Sequence, residues 1–308
     1  MKRVKVAVVG VGYLGGFHAE KYAAMSDVDL IGVVDIDEER LSQIAQSVGS
    51  KPYNDYREIL DRVDAVSIAV PTTLHSRIAI PFLEKGIAVL LEKPMTSNLD
   101  EAYEIIDAAK RGKGILQIGH LERFNPAIIA LAGSIKRPMF IEVHRISPFR
   151  KRSTDVDVIL DLMIHDIDII LSLVDSKIAS VEAVGVPVLT DQVDIANARV
   201  RFESGCIANI TASRVSLDVM RKIRIFQPDS YISIDYAKKA VDIYRLSSKK
   251  QIVHENTKIS DTDALEAEIR AFVDAVRFNK TPVVDGIAGL TSIEVVDLIK
   301  KNMIVPER

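Results

Sequence analysis

The chain has little of several features that mark whole classes of protein. Its 308 residues include one cysteine, Cys206, which excludes an internal disulfide framework. Because Cys206 lies in a strand-like run, we interpret it as a small core side chain and not as a nucleophile. No uninterrupted apolar run approaches the length of a membrane span. The formal net charge of −3 excludes a global attraction for nucleic acid or for an anionic membrane.

Internal repeats and low-complexity segments are also absent from the sequence. Lys2, Arg3 and Lys5 precede apolar residues as in a signal peptide, but the apolar stretch is short and runs straight into glycine. We therefore expect no targeting segment and a cytoplasmic location. With 48% hydrophobic residues, a chain of this length is large enough to form two domains.

The most informative feature that is present is a dinucleotide-binding pattern near the start. An apolar run at 4–9 leads into Gly10, Gly12 and Gly15. Gly10 permits a tight turn, Gly12 lets the backbone approach a pyrophosphate, and Gly15 lets the next helix pack closely on the strand. The free N–H groups at the start of that helix would bind the phosphates. The alternative is a tight turn in another kind of doubly wound protein.

Asp35 completes this pattern at the end of a second apolar run, twenty positions after Gly15. A carboxylate at this position can accept a hydrogen bond from a ribose 2′-hydroxyl. It would repel a 2′-phosphate, and the next residue, Ile36, offers no cation to bind one. The pattern therefore favours NAD over NADP, although an acid at a strand end can also be merely solvated.

The order of apolar runs predicts two different domains. Up to residue 120 they alternate with helical patterns, which is typical of a parallel sheet. Predicted strands lie at 4–9, 29–35, 64–70, 87–91 and 114–118, and predicted helices at 14–25, 38–47, 56–61, 75–85 and 99–111. After Pro126, strand-like runs follow one another at 138–147, 179–187, 193–203, 206–214, 220–227, 231–236 and 240–246, with helices near 156–174, 263–278 and 286–302.

The predicted fold is therefore α/β plus α+β. An N-terminal doubly wound parallel sheet of the Rossmann type, 1–120, is expected to bind the dinucleotide. An open, mostly antiparallel sheet domain, 121–308, is expected to bind the substrate and to form oligomers.

Two further motifs end predicted strands of the parallel sheet, where open sheets bind ligands. Val70-Pro71-Thr72 leads to His75, and Glu92-Lys93-Pro94 follows the next strand. A positively charged nicotinamide and partial burial would lower the pKa of Lys93 and make it a usable proton donor or acceptor. The alternatives are a helix-capping turn at Thr72, a polar first-turn residue at His75, and a surface pair of Glu92 with Lys93. The residues predicted to bind the cofactor are Gly10, Gly12, Tyr13, Leu14, Gly15, Asp35, Ile36, Val70, Pro71, Thr72, His75, Glu92 and Lys93.

A third candidate lies in the apolar helix predicted at 156–174. Asp161 and His165 are four residues apart and would stack on one face of an α-helix. An aspartate that fixes one imidazole nitrogen leaves the other free to act as a general base. A structural Asp–His pair is one alternative, and a metal site that includes Asp168 is another. We predict no metal site.

Polar residues between the two predicted domains are candidates for substrate binding. His120, Arg123 and Asn125 follow the last parallel strand, where they would face a cleft between domains, or they form a linker. A basic run from Arg145 to Arg152, with Arg214, Arg221 and Arg224 later in the chain, would suit a phosphate-bearing substrate, or it is a solvated loop. The residues predicted to bind substrate are Lys93, His120, Arg123, Asn125, Arg145, Asp161 and His165.

Together these motifs resemble the Gfo/Idh/MocA oxidoreductase family, in order and spacing, over essentially the whole chain. The resemblance implies hydride transfer between a nicotinamide and a hydroxyl of a sugar or cyclitol. It also implies that Lys93, Asp161 and His165 are the catalytic residues that serve the proton transfer. The C-terminal sheet of the family often mediates assembly, so a homodimer or homotetramer is expected.

Details of the sequence bear on the substrate. Many family members carry glycine where this chain has Val158, Ile159 and Met163. The runs 119–126 and 153–157 resemble bacterial members that oxidise UDP-N-acetylglucosamine at C3. A nucleotide sugar is therefore the expected substrate. The alternatives are an inositol or simple aldose dehydrogenase and a regulator that binds NAD without turnover.

Overall fold

The chain was analysed as a computed structural model, which describes residues 3–131, 133–149, 156–236, 240–247, 249–257, 259 and 261–306. Its internal contacts define two compact units. The first is Met1–Phe124 with Asp263–Ile293, and the second is Asn125–Thr262 with Glu294–Arg308. The division differs from the predicted 1–120 and 121–308, because a late segment returns to the first unit.

The strands, numbered along the chain, are β1 (Val4–Val9), β2 (Val28–Val34), β3 (Lys51–Tyr53), β4 (Ala65–Ile68), β5 (Ala88–Glu92), β6 (Leu116–Gly119), β7 (Phe140–Ile146), β8 (Ile178–Val186), β9 (Ile195–Phe202), β10 (Ile207–Ser213), β11 (Met220–Phe226), β12 (Ser230–Asp235), β13 (Ala240–Leu246), β14 (Ile252–Thr257) and β15 (Met303–Ile304). The helices are α1 (Tyr13–Ala24), α2 (Glu38–Val48), α3 (His75–Glu84), α4 (Leu99–Gly112), α5 (Pro126–Ile129), α6 (Ile164–Leu173), α7 (Ala264–Phe278) and α8 (Gly286–Lys301). Short 3₁₀ turns occur at Tyr56–Ile59, Thr72–Leu74 and Leu121–Phe124.

The first unit is built on a parallel sheet with the strand order β3-β2-β1-β4-β5-β6. This is the doubly wound order of dinucleotide-binding domains, and it reverses between β1 and β4. Ligands of such sheets bind in the crevice beyond the carboxyl ends of the strands at that reversal. The predicted parallel sheet is confirmed, and β3, which is only three residues long, was missed by the sequence prediction.

Helix α7 completes the hydrophobic core of this unit. Its buried side chains Ile269, Phe272 and Val273 join a cluster that includes Val6 and Tyr22. The helix is amphipathic, because residues three and four apart line one face. Two arginines of its other face bind one carboxylate. Arg270 Nη1 and Arg277 Nη1 lie 2.8 and 2.7 Å from Asp27 Oδ2. Helix α7 therefore belongs to the first unit, although it lies within the range predicted for the second domain, 121–308.

The second unit contains a sheet with the order β14-β13-β12-β11-β7-β10-β9-β8-β15. Its pairs are antiparallel except β7 with β10 and β8 with β15, which confirms the predicted mostly antiparallel sheet. Along β7 and β9 every second residue is buried, as expected for a sheet with one covered face. The edge strands β14 and β15 were missed by the sequence prediction. Among the described residues, no helix combines the length and apolar character needed to cross a membrane.

Candidate active site

A cavity of about 670 Å³ opens at the carboxyl ends of β1, β2 and β4 in the first unit. Six of the residues predicted to bind the cofactor line it: Gly10, Gly12, Asp35, Ile36, Val70 and Pro71. The sequence prediction missed other lining residues, whose positions depend on how the loops after β2, β3 and β4 fold. These are Val9, Val34, Arg40, Asn54, Asp55, Tyr56, Arg57, Ala69, Leu74, Arg77 and Ile78.

The three glycines of the first turn meet different structural requirements. Gly10 has a φ of +83°, and a Cβ there would lie 2.8 Å from the carbonyl oxygen of Ala69. A Cβ on Gly15 would collide with the carbonyl of Gly10, which explains the close approach of helix and strand. A Cβ on Gly12 would meet nothing within 4 Å. Packing within the protein therefore does not require Gly12, and the open space in front of it fits a ligand.

The start of α1 fits the pyrophosphate of NAD. Its N-cap residue is Gly12, so no side chain caps the helix. By contrast, Asp37 caps α2 by accepting a hydrogen bond from the Arg40 N–H, and Asn98 caps α4 in the same way. The first N–H groups of a helix need partners from outside the helix, and with the helix dipole they favour an anion. NAD would supply that anion at α1.

Asp35 lies just after β2, beside the glycine turn. Its Oδ2 accepts a hydrogen bond of 2.8 Å from the Val11 N–H, and its Oδ1 accepts one of 3.0 Å from the Asp37 N–H. These bonds fix the carboxylate at the cavity wall, where a ribose can reach it. Arg40 Nη1 lies 3.8 Å from Asp35 Oδ2, so a cation stands close to the ribose site that the sequence prediction described as lacking one.

The His75 ring contacts the backbone that follows β4 and the backbone that follows β5, and it is almost fully buried. Its Nδ1 lies 3.0 Å from the carbonyl oxygen of Pro94 and 3.2 Å from that of Met95, and its Nε2 lies 3.0 Å from that of Val70. Burial lowers the pKa of the ring. His75 was predicted as a cofactor ligand, with a polar first-turn residue as the alternative, and it is the first residue of α3. In the structure it connects the loop after β4 to the loop that carries Lys93.

Lys93 and Glu92 have different surroundings at the end of β5. Lys93 is half-buried, whereas Glu92 is buried. The Oε1 of Glu92 lies 3.0 Å from the Nε2 of His18. This position excludes the surface Glu–Lys pair, and the contact of Glu92 with the cofactor stays a prediction. The sequence prediction attached no role to His18, because its partner Glu92 lies on β5, far from α1 in the sequence.

The other residues predicted to bind the cofactor differ in solvent exposure. Tyr13 and Ile36 are exposed, with relative accessibilities of 78% and 92%. Leu14 and Thr72 are half-buried. Thr72 begins the 3₁₀ turn before α3, and its hydroxyl does not cap that helix, whose N-cap is Leu74.

In the second unit, the segment with Asp161 and His165 is not a regular α-helix. Ile159–Met163 forms a π-helical turn, which runs into α6. π-helical bonds join residues five apart, so Asp161 lies in a wider turn than was expected, and its stacking with His165 stays a prediction. Both side chains are half-buried, whereas Val158, Ile159 and Met163 are fully buried. Those three residues therefore fill the core where many family members have glycine. Asp168 is buried as well.

The cations predicted to bind a phosphate have other partners. Arg145 is buried, and its Nε and Nη2 donate hydrogen bonds of 2.8 Å to the two oxygens of Asp166. Arg214 Nε bonds Asp194 at 2.8 Å. Arg145 thus faces the covered side of the sheet, since alternate residues of β7 are buried. Its guanidinium is paired with Asp166, so we no longer expect it to bind substrate.

Two more members of the basic group are located as follows. Arg224 lies 2.8 Å from Glu142, and Arg221 is exposed. The positions predicted at 150–155 lie outside the described residues.

The residues predicted between the domains differ in burial. His120 is buried, and Arg123 is half-buried. Asn125 caps the short helix α5, because its Oδ1 accepts a hydrogen bond of 3.0 Å from the Ala127 N–H. The linker interpretation therefore accounts for Asn125, and substrate binding by His120 and Arg123 stays a prediction.

Comparison with known proteins identifies both parts of the chain. Residues 4–120 match the model of an oxidoreductase family with an NAD-binding Rossmann fold, and residues 129–226 match the GFO/IDH/MocA C-terminal domain. The chain is 38% identical over 295 residues to UDP-N-acetylglucosamine 3-dehydrogenase of Acidithiobacillus ferrooxidans, covering 94% of each chain. It is 28% identical to scyllo-inositol 2-dehydrogenase (NAD(+)) of Bacillus subtilis, covering 95% of this chain and 92% of that protein.

Solved structures agree with this result. The Acidithiobacillus ferrooxidans enzyme superposes with a TM-score of 0.93 at 36% identity, covering 98% of both chains. A levoglucosan dehydrogenase solved with NADH and L-sorbose shares the fold, with a TM-score of 0.89 at 19% identity. The glycine turn, the uncapped start of α1 and Asp35 fit NAD. The chain belongs to the Gfo/Idh/MocA family of NAD-binding oxidoreductases.

Proposed function

We propose that this oxidoreductase transfers hydride to NAD from a ring carbon of a nucleotide sugar that bears a hydroxyl, with C3 of UDP-N-acetylglucosamine as the reacting centre. The observation that carries the proposal is the 38% identity to a UDP-N-acetylglucosamine 3-dehydrogenase over 94% of both chains. The identity to the inositol dehydrogenase of Bacillus subtilis, at 28%, is lower over a similar length. The proposal does not rest on the basic loop, because Arg145 and Arg214 are held in buried ion pairs.

NAD, when bound, supplies the acceptor for the hydride. In the proposed reaction His165 removes the proton of the ring hydroxyl, and Asp161 orients the His165 imidazole. Lys93 stabilises the negative charge that develops on the oxygen. General-base help of this kind is worth about 10²- to 10⁴-fold in rate. The half-buried positions of all three side chains support these roles, since such groups are both shielded from water and accessible to a ligand.

The substrate is tested with a panel of compounds, scored by the appearance of NADH. The panel holds UDP-N-acetylglucosamine, UDP-glucose, free N-acetylglucosamine, myo-inositol and scyllo-inositol, each with NAD and with NADP. An equilibrium towards the alcohol would hide activity, so hydroxylamine is added to trap the ketone. We expect turnover with UDP-N-acetylglucosamine and NAD, and a product that is the oxime of a ketone two hydrogen atoms lighter than the substrate. Turnover with an inositol alone would overturn the proposed substrate.

An inositol dehydrogenase is the second candidate, because the match to the Bacillus subtilis enzyme covers 95% of this chain. A regulator that binds NAD without turnover is the third. It would bind NADH in a fluorescence titration and reduce NAD with none of the panel.

We also propose that the chain assembles as a homodimer or homotetramer through the face of the second sheet opposite its buried side chains. A row of aromatic rings crosses this face, formed by Phe140, Phe226, Tyr231, Tyr244 and His254. Directly paired residues of adjacent strands bring the rings together. A second copy of the chain would bury these rings. A cytoplasmic location belongs to the same proposal, and the single cysteine supports it.

A further inference from the structure

A buried cluster of three titratable groups lies in the first unit, behind the end of β5. His18 on α1 and Glu268 on α7 have a relative accessibility of 0%, and Glu92 has 7%. One nitrogen or oxygen atom of each side chain lies within 4.8 Å of the corresponding atoms of the other two. His18 Nε2 and Glu92 Oε1 are 3.0 Å apart. Three elements remote in sequence thus bring two carboxylates and one imidazole together out of contact with water.

The surroundings of the cluster are closely packed and mostly uncharged. A Cβ on Gly119, which pairs with Glu92 across β6 and β5, would lie 2.9 Å from the Glu92 carboxylate. Gln117 donates a hydrogen bond of 3.2 Å to the carbonyl oxygen of Glu268. The Glu92 carboxylate at the end of β5 therefore has little room to move.

The groups around Glu268 can be named element by element. Helix α1 presents His18 and Tyr22, and the Tyr22 hydroxyl is 2.7 Å from that of Ser67 on β4. Strand β5 presents Glu92. The turn Leu121–Phe124 also packs on α7, and its charged residues are Glu122 and Arg123. Neighbours of Glu268 on α7 itself include Glu266 and Arg270.

Two negative charges at this separation are unfavourable without water. In the part of the chain that the structure describes, neither carboxylate oxygen of Glu268 has a hydrogen-bond partner. An ionised carboxylate in that position would carry a large desolvation cost, whereas a neutral acid would not. Burial, with the charge of Glu92 as a second cause, raises the pKa of Glu268 well above its usual range.

We propose that Glu268 is a neutral carboxylic acid in the folded protein, and that with His18 and Glu92 it forms a buried cluster that positions Lys93. Glu92 directly precedes Lys93, so an anchor on the Glu92 carboxylate fixes the backbone from which the lysine side chain starts. Glu268 and His18 are thus positioning residues. The link to Lys93 rests on the proposed function, but the protonation of Glu268 does not.

The same three residue types are able to ligate a metal ion. His18 Nε2 and Glu92 Oε1 are 3.0 Å apart, and a neutral Glu268 relieves the repulsion between the two carboxylates without an ion. A divalent cation is therefore an outcome of the test and not the proposal.

The first experiment follows the unfolding equilibrium of the full chain with pH, for wild type and for Glu268→Gln. The folded wild type keeps a proton that its unfolded chain loses above pH about 4.3, so raising the pH favours unfolding. We expect the ratio of the folding constants, wild type over variant, to fall by about tenfold per pH unit between about pH 5 and 7. Glu266→Gln, on the exposed side of the same helix, is the matched control and should show a flat ratio.

A second readout is the infrared band of a protonated carboxylic acid, which we expect at neutral pH in wild type and not in Glu268→Gln. A flat ratio of folding constants together with no such band would overturn the proposal. Stoichiometric metal in the purified protein, with a chelator lowering its melting temperature, would overturn it in favour of a metal site.

Positioning of Lys93 is tested by kinetics. Glu268→Ala should lower kcat by about 10- to 100-fold, the effect expected of a small misplacement of a catalytic group, with little change in the KM for NAD. Glu268→Gln should recover most of that loss. An unchanged kcat in Glu268→Ala would overturn the positioning role. Failure of the proposed function itself would show separately, as normal turnover in a Lys93 variant whose stability titration still reports the proton on Glu268.

Discussion

Asp35 holds the glycine turn through Val11, whose backbone N–H donates a 2.8 Å hydrogen bond to its Oδ2. The residue proposed to recognise the ribose is therefore also part of the wall that the pyrophosphate faces. Hydrogen bonds to charged groups contribute about 1.5–3 kcal/mol. We expect Asp35→Ala to raise the KM for NAD by about 10- to 100-fold, measured by steady-state kinetics. Asp29→Asn, at a half-buried acid of β2 that pairs with Arg3, is the control. An unchanged KM in Asp35→Ala would remove Asp35 from the cofactor site.

Lys93 and His165 provide the test of the proposed chemistry. We expect Lys93→Met and His165→Ala each to lower kcat on the true substrate by about 10²- to 10⁴-fold. NADH binding, followed by fluorescence titration, should stay close to that of wild type. Near-native turnover in both variants would show that neither side chain serves the proton transfer.

His75 connects two strand ends and has a lowered pKa because it is buried. The folded protein resists protonation of the ring, whereas the unfolded chain takes up a proton below pH about 6.5. The stability contributed by neutral His75 is therefore present above that pH and lost as the pH falls. We expect the unfolding free energy of wild type, relative to His75→Gln, to decrease from pH 7 to pH 5. Parallel pH profiles of the two proteins, followed by urea denaturation, would show that the pKa of the ring is the same in the folded and unfolded protein.

The ion pair between Arg145 and Asp166 gives a stability prediction. Both side chains are buried and joined by two 2.8 Å hydrogen bonds. Removing one partner of such a pair costs about 3–5 kcal/mol, because the other charge stays buried without compensation. We expect this loss in Arg145→Met, and partial recovery in the double variant Arg145→Met/Asp166→Leu, measured by chemical denaturation. A stable Arg145→Met protein with a raised KM for the sugar would return Arg145 to the substrate site.

The aromatic row on the second sheet gives a prediction about assembly. A charge in the middle of a buried interface is unfavourable, so Tyr231→Asp should shift the chain towards monomer in sedimentation velocity. Leu189→Asp, at a position that is already exposed, should leave the mass unchanged. A wild-type protein that sediments as a monomer at micromolar concentration would rule out this interface.

The local parts of the fold were predictable from sequence. The glycine turn, Asp35 and the parallel strands follow from short-range patterns, because a strand, a tight turn and a helix start are each specified within a few residues. The same is true of the antiparallel strands, whose alternate residues are buried. The edge strands β3 and β15 carry too few residues for a period to appear, and β14 is exposed along almost its whole length, so it has no buried alternate residues.

The non-local parts were not predictable. Arg40 approaches Asp35 only once α2 folds back beside β2, and Glu268 meets His18 only through the packing of α7. Arg145 was predicted to bind substrate, with a solvated loop as the alternative, but its position in the alternation of β7 turns it inward to Asp166. The π-helical turn before α6 was missed, because the residues of that turn fit the α-helical pattern equally well.

Because α7 belongs to the first unit, that unit cannot complete its core until α7 has been synthesised. Residues 1–124 are synthesised before α7, so their sheet lacks Ile269, Phe272 and Val273 until that helix has been made. The nucleotide-binding unit is thus interrupted by the inserted segment Asn125–Thr262. A nascent chain arrested before residue 263 would expose an apolar sheet face to chaperones, and a fragment that ends at residue 124 would lack part of its own core.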